Sequence, residues 1–231
     1  MRCTRTRLVV VASACTIGSI GSTVLAANVL TDPSYETSTL TSLLNVITNY
    51  PGFAGQWGDE LASIVTSQNS VTPLAGNRML RLDNTGGGYS QVAQVVDLTS
   101  LASQIDAGQV AWVASAMFNA NLPAAQGSVV TVFVDASANH SNITGPVQSS
   151  GNVIINANPG DWESISINGS VPFGTRWAYF QVAYWDASLI AIPGTDAAGY
   201  VDAANFDIRV IPEPTTLAAL MLPTAMLLRR R

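Results

Sequence analysis

The feature that most constrains this chain is a two-residue alternation of apolar and polar side chains, interrupted at short intervals by turn-forming clusters. Successive side chains of a strand point to opposite faces, so this alternation marks strands with one buried face. Val110 to Asn119 and Val129 to Asp135 follow it and are rich in Val, Ala, Phe and Thr, which fit a pleated, half-buried surface. Glu163 to Ile167 alternates and runs into Asn168-Gly169, which predicts a hairpin turn at that pair. Trp177 to Trp185 and Tyr200 to Val210 read as longer strands. Leu61 to Thr66, Met79 to Leu82 and Tyr89 to Leu98 read as earlier ones. Turn clusters at Asn84 to Gly88, Asn139 to Gly145, Asn156 to Gly160 and Ile192 to Gly199 separate them. Many strands with dense turns and little helix predict an all-β chain, an antiparallel β-sandwich of the jelly-roll type. Leu40, Leu43, Leu44 and Ile47 alone have helical spacing, which predicts a short helix in an insertion over residues 37–58.

The two ends follow other rules. Arg2, Arg5 and Arg7 precede an uncharged stretch from Leu8 to Ala26, with Val24 and Ala26 as small residues before a cleavage point. This is the plan of a secretory signal peptide, with 1–26 as a signal helix removed by signal peptidase. Both cysteines, Cys3 and Cys15, lie inside it. The remaining chain then has no disulfide, thiolate metal site or cysteine nucleophile, and its core must hold without staples.

At the other end, Pro212-Glu213-Pro214 precedes an apolar run to Leu228 and a basic stop, Arg229-Arg230-Arg231. Positive charge favours the cytoplasmic side, so such a tail would leave the body outside. The 14 residues Thr215 to Leu228 would span only about 21 Å as a helix, against a hydrocarbon core of about 30 Å. Pro223 interrupts the run as well. A short apolar helix of this kind suits transient membrane association better than a permanent anchor. In its three-part order, the segment 212–231 resembles the PEP-CTERM sorting signal of Gram-negative bacteria. That resemblance implies an exosortase-type membrane protease as partner. It also implies export across the inner membrane to the envelope, cell surface or extracellular matrix.

Composition narrows the function. Charged residues make up 11% of the chain, and every basic residue is Arg. A lysine nucleophile, a Schiff base and a P-loop lysine are therefore excluded. Residues 28–211 carry fourteen carboxylates against four arginines, a balance of about −10. Such a field repels phosphate backbones and disfavours nucleic-acid binding.

Across that body, several segments occur in a telling order. Asn28 to Glu36 comes first, then Trp57, Gly76 to Leu82 and Ser90 to Leu98, and Gly199 to Ile208 closes. This order resembles the galactose-binding-like jelly roll of many carbohydrate-binding modules. The resemblance implies two antiparallel sheets, a non-catalytic role and a structural Ca²⁺ between the first and last strands. The Ca²⁺ ligands would include Glu36 and Asp202. Alternation in the last strand places Tyr200, Asp202, Ala204, Phe206, Ile208 and Val210 on one face, so Asp202 would point inward. A buried carboxylate must be paired, protonated or metal-bound. Oxygen-only ligation suits calcium; hydration at the strand edge or pairing with an arginine is the alternative.

The strand from Trp177 supplies a candidate glycan site. If Phe180 and Val182 face the core, Trp177, Tyr179, Gln181 and Trp185 form an aromatic-plus-amide row on the other face. Aromatic faces stack on sugar rings, and amides hydrogen-bond hydroxyls. The alternative is that a loop or the 37–58 insertion covers the row. Catalytic readings are weaker. His140 is the single histidine, in a polar loop, and no Gly-x-Ser-x-Gly elbow is present. Asp59-Glu60 and Asp161-Trp162-Glu163 offer carboxylate pairs, and a polysaccharide-active hydrolase would need two of them across a cleft. The expectation is therefore a non-catalytic exported protein that binds extracellular polysaccharide or serves as a structural or adhesive component.

Overall fold

The alternation is realised as two stacked sheets. The computed structural model describes residues 28–42, 54–83, 89–186 and 198–211. The first sheet contains β1 (Thr41–Ser42), β2 (Trp57–Glu60), β5 (Tyr89–Asp97), β11 (Trp177–Asp186), β7 (Ala125–Val134) and β8 (Gln148–Ser149) in that order, with β9 (Val153–Ile154) also pairing with β7. The second runs β10 (Glu163–Ser170), β6 (Val110–Ala120), β12 (Ala198–Val210), β4 (Met79–Asp83) and β3 (Ala62–Val65). All pairings are antiparallel except β1 with β2. The molecule is an antiparallel β-sandwich.

Rings from both sheets meet in the core. Trp112 of β6 packs 5.4 Å from Phe133 of β7 and 6.2 Å from Phe206 of β12. Phe206 lies 6.0 Å from Phe180 of β11, which lies 6.2 Å from Trp57 of β2. Tyr35 closes the line 5.0 Å from Trp57. Tilted and edge-on contacts at these spacings suit the ring quadrupoles and add to the apolar area removed from water.

At two places glycine makes room for a core ring, across the sheets at Gly127 and between paired strands at Gly169. A Cβ on Gly127 would stand 2.6 Å from Phe118, and one on Gly169 would stand 3.3 Å from the indole of Trp112. The latter explains a departure from expectation. Asn168-Gly169 is not a turn: both residues sit inside β10, paired with Val113 and Trp112. The glycine admits a large ring instead of reversing the chain.

Other differences concern helices. Leu40 is irregular and Thr41–Ser42 is a strand, so the helix expected from Leu40 does not begin there. Leu43, Leu44 and Ile47 lie outside the described residues, as do the expected signal helix and C-terminal apolar helix. A 3₁₀ turn, Thr99–Leu101, and a one-turn helix, Ala102–Asp106, join the two sheets instead, with Ile105 buried.

The last strand does not keep one face throughout. Its register against β6 shifts between Asp202 and Asn205, and Ala203 adopts φ 47°. A bulge inserts an extra residue and reverses which side chains point inward. Beyond it, Ala204, Phe206 and Ile208 join the core; before it, Val201 does. Ala198 and Tyr200 pack instead with Val71 and Met79 in a separate cluster. Asp202 shares the face of Tyr200, outside the main core, and not that of Phe206.

Candidate functional site

Three places gather polar side chains on this scaffold. The first is the outer face of the sheet formed by β2, β5, β11 and β7. Phe180, Val182 and Tyr184 of β11 enter the core, so Trp177, Tyr179, Gln181, Ala183 and Trp185 face outward. Register then decides which residues of neighbouring strands join them. Gln181 lies opposite Ala93 of β5 and Val130 of β7, Ala183 opposite Gln91 and Ser128, and Trp185 opposite Tyr89 and Gln126. On the far side of β5, Glu60 pairs with Gln91 and Gly58 with Ala93.

Along this face the amides form a relay. Gln181 Nε2 donates to Gln91 Oε1 at 2.6 Å, and Gln91 Nε2 donates to Glu60 Oε2 at 2.7 Å. The relay orients three side chains before any ligand arrives. Gly58, Ala93 and Ala183 around it are buried, as are Gln91 at 4% and Gln181 at 6% exposure, so the relay reaches the surface at half-buried Glu60.

One wall is the pair Tyr89 and Trp185, stacked at 6.2 Å with 25° between planes. Tyr89 is 52% exposed and Trp185 half-buried. The opposite wall is an apolar cluster of Val95, Val132, Val134 and Tyr179, with Val130 and Trp177 packed against it.

The four residues expected as a row thus share a face but have unequal roles. Tyr179 and Gln181 are 3% and 6% exposed. Tyr179 is tied by its hydroxyl to Ala138 O at 2.8 Å. Trp177 and Trp185 are both half-buried, Trp177 against the apolar wall and Trp185 against the exposed ring of Tyr89. Tyr89 and Gln91 escaped the sequence reading, and Glu60 entered it only as half of a carboxylate pair. The alternation in Tyr89 to Leu98 separates their face from that of Val92, but nothing in sequence shows that β5 lies beside β11.

The second place is a loop held by carboxylates. Asp202 is fully buried and accepts three backbone N–H groups: Leu74 at 2.8 Å and Ala75 at 2.9 Å on Oδ2, and Ala203 at 2.7 Å on Oδ1. Burial pushes its carboxyl above the usual range; the amides of Ala75, Ala203 and Leu74 oppose this, and the charge of Glu36 adds to it.

Glu36 Oε1 accepts Asn77 N at 3.0 Å and Arg78 N at 2.9 Å. Arg78 Nη1 donates at 2.9 Å to the backbone carbonyl of Glu36. Gly76, at φ +69°, gives the Glu36 carboxylate room. Next to them, the Asp32 carboxylate accepts the N–H groups of Glu36, Thr37 and Ser38 at 3.0, 2.8 and 2.6 Å. Burial raises the Asp32 carboxyl, but the Ser38 side chain and these amides together hold it below the usual range. The carboxylates of Glu36 and Asp202 thus brace the same loop, residues 74–78, from two sides.

Their chemistry suits a hard cation in part. Both ligate through oxygen only, Glu36 Oε2 takes neither of the two amide bonds, and the Tyr35 hydroxyl is buried without a hydrogen bond. Burial, then the charges of Asp202 and Asp32, push that phenol far up. Among the described residues, however, no group of three or more His, Cys, Asp or Glu gathers at one point. Most of calcium's six to eight oxygens would have to come from backbone carbonyls.

The third place is a cavity of about 470 Å³ at the sandwich edge, lined by residues that include Thr39, Leu40, Asp59, Ala62, Ile64 and Arg78. Asp59 pairs with Val92, whose side chain enters the core, while the next residue, Glu60, pairs with Gln91 on the outer face. The two carboxylates thus point to opposite sides of one strand and do not flank a common cleft.

Asp161 and Glu163 both accept from the side-chain amide of Asn156, which ties them into the loop before β10. His140 is half-buried in the loop between β7 and β8. Pro212, Glu213, Pro214, Arg229, Arg230 and Arg231 lie outside the described residues.

No protein-family model matches this sequence, and neither does any curated protein sequence. Among solved structures, the chain is similar to TmCBM61 in complex with β-1,4-galactotriose, at 13% identity and a TM-score of 0.49, over 78% of this chain and 98% of that one. A putative sugar binding protein from Bacteroides thetaiotaomicron aligns at 8% identity and a TM-score of 0.48, over 78% and 99%. The CBM22-1 xylan-binding domain of Paenibacillus barcinonensis Xyn10C aligns at 13% identity and a TM-score of 0.44, over 82% and 97%.

Proposed function

We propose that this chain is an exported, non-catalytic protein that binds a neutral polysaccharide on the outer face of β2, β5, β11 and β7. The observation that carries the reading is the Gln181–Gln91–Glu60 relay beside the stacked rings of Tyr89 and Trp185. A sugar ring has apolar C–H faces and a polar rim. Trp185 and Tyr89 offer ring faces for the first. Glu60, the half-buried end of the relay, offers a carboxylate held in place by Gln91 for the second. Preorganised side chains lower the ordering cost that otherwise weakens binding. Glu60 and the acidic body repel uronates and sulfated chains, which leaves neutral glycans.

Affinity electrophoresis through gels containing neutral polysaccharides tests this. Retardation of the wild-type protein by at least one of them is expected, with about a tenfold loss in Trp185→Ala and a smaller loss in Tyr89→Ala. Equal retardation of Trp185→Ala and wild type would refute the site.

Two further parts of the proposal concern its setting. The protein is exported through residues 1–26 and sorted through 212–231. Signal peptidase and an exosortase-type protease act on these segments, the tail associates with the membrane only transiently, and the product reaches the envelope, surface or matrix. Intact mass from the native host should then begin near Ala27 and end near Pro212 to Pro214. A full-length C-terminus retained in the inner membrane would overturn it.

Glu36 and Asp202 are proposed to share one structural Ca²⁺. Ligand held at 100 times its dissociation constant stabilises by about 2.7 kcal/mol, which raises Tm by about 5–10 °C in a chain of this size. An unchanged Tm between calcium and chelator would exclude the ion.

A further inference from the structure

We infer that the edge cavity is a second saccharide site, built to hold one ring of a neutral glycan, on the opposite side of β2 from the outer-face site. Its volume, about 470 Å³, lies within the about 300–1,000 Å³ typical of small-molecule sites. Its walls divide by chemistry. Leu40, Ala62 and Ile64 line it and pack against the main core, so its back is apolar while its front opens to solvent.

The polar groups stand around that apolar back. Asp59 enters from β2, 6% exposed, and its carboxylate is met by the backbone N–H groups of Ala62, at 3.3 Å on Oδ2, and of Asp59 itself. Arg78 spends Nη1 on the carbonyl of Glu36, and a guanidinium has further donors in a planar fork. A carboxylate acceptor and a guanidinium donor set around one cavity match a vicinal diol, whose hydroxyls both donate and accept. Ser38, Thr39 and Ser63 add smaller polar groups at the lining. The apolar back suits the C–H face of the ring. Because Asp59 and Glu60 are adjacent on a strand and point to opposite sides, the two sites are separate. One molecule would then hold a ring of one chain at its edge and the length of another chain on its face, which is what a matrix cross-linker requires. The gain follows from linkage of two sites and needs no added contact.

NMR titration of the protein with methyl glycosides of neutral pyranoses tests the cavity apart from the outer face. Amide shifts at residues 39, 59 and 62–64 are expected at millimolar glycoside. Asp59→Asn should weaken that response about tenfold. Thr39→Phe, which fills the mouth from an exposed position, should abolish it without disturbing the fold. Trp185→Ala should leave the cavity response intact while polysaccharide retardation falls. Absence of shifts at those amides with every glycoside, or full binding by Thr39→Phe, would overturn the inference. Loss of both responses in Trp185→Ala would also do so, by showing one site.

Discussion

Gly199 leaves room for a core ring of the facing sheet, and its replacement by alanine is a direct test of how the sandwich is held. Gly199 in β12 faces Tyr184 in β11 across the core. A Cβ there would stand 2.6 and 2.7 Å from Cε2 and Cγ of the ring, and closer still to Cδ2. Tyr184 is 1% exposed and has no open space to swing into. Either the ring leaves its rotamer or β11 moves outward.

Overpacking a tight core costs about 1–3 kcal/mol, occasionally more, and three ring atoms inside 3 Å place this substitution at about 3 kcal/mol. For a chain of this size that corresponds to a Tm lowered by about 6–12 °C. Urea unfolding with intrinsic fluorescence should give the same loss at unchanged m, since the exposed area is hardly altered. The clash also has a signature of its own. In a Tyr184→Leu background the Gly199→Ala step should cost under about 1 kcal/mol, a coupling of about 2 kcal/mol that contacting residues can show. Trp185 follows Tyr184 and faces the other way, so Gly199→Ala should also weaken polysaccharide retardation. A stability change within about 0.5 kcal/mol, which is ordinary for surface sites, would refute the packing argument.

Asp202→Ala removes the acceptor of three N–H bonds. It should destabilise by about 2 kcal/mol in urea unfolding, part of the loss being relieved because the exposed loop amides can find water. Asp59 is held above the usual carboxyl value of 3.8 by burial, so the folded state favours its proton. The stability it contributes is full at low pH and is lost as pH rises from the unfolded value through the raised folded one. Asp59→Asn should therefore be more stable than wild type at pH 7 and no more stable at pH 3, by thermal unfolding. Asp32 has the opposite sign: its lowered folded value gives stability above the usual carboxyl range that disappears as pH falls. Asp32→Asn should lose stability at pH 7 and show a flatter acid limb in the same measurement.

Strands were legible wherever alternation ran unbroken over several residues. Val110 to Asn119 became β6 nearly as read, and Trp177 to Trp185 became β11 with one residue added. Where one residue carried two meanings, the reading failed. Asn168-Gly169 has the composition of a turn, yet its glycine answers to the ring of Trp112, which lies 56–57 positions away in sequence. The bulge at Ala203 had no local signature, and a single-face reading of β12 put Asp202 on the side of Phe206.

What the sequence determined by itself was local and periodic: the β class, the outward direction of Trp177, Tyr179, Gln181 and Trp185 once Phe180 faced inward, and the acidic, lysine-free character of the body. Each depends on neighbours a few residues apart and on the fixed period of an extended chain. Tertiary structure alone decided which strands lie side by side. It set Gln91 and Glu60 in line with Gln181, stacked Tyr89 on Trp185, brought Glu36 and Asp202 to one loop, and opened a cavity between Asp59 and Arg78. Pairing order and register come from burying both sheets' apolar faces at once, a sum over the whole chain that no single segment carries.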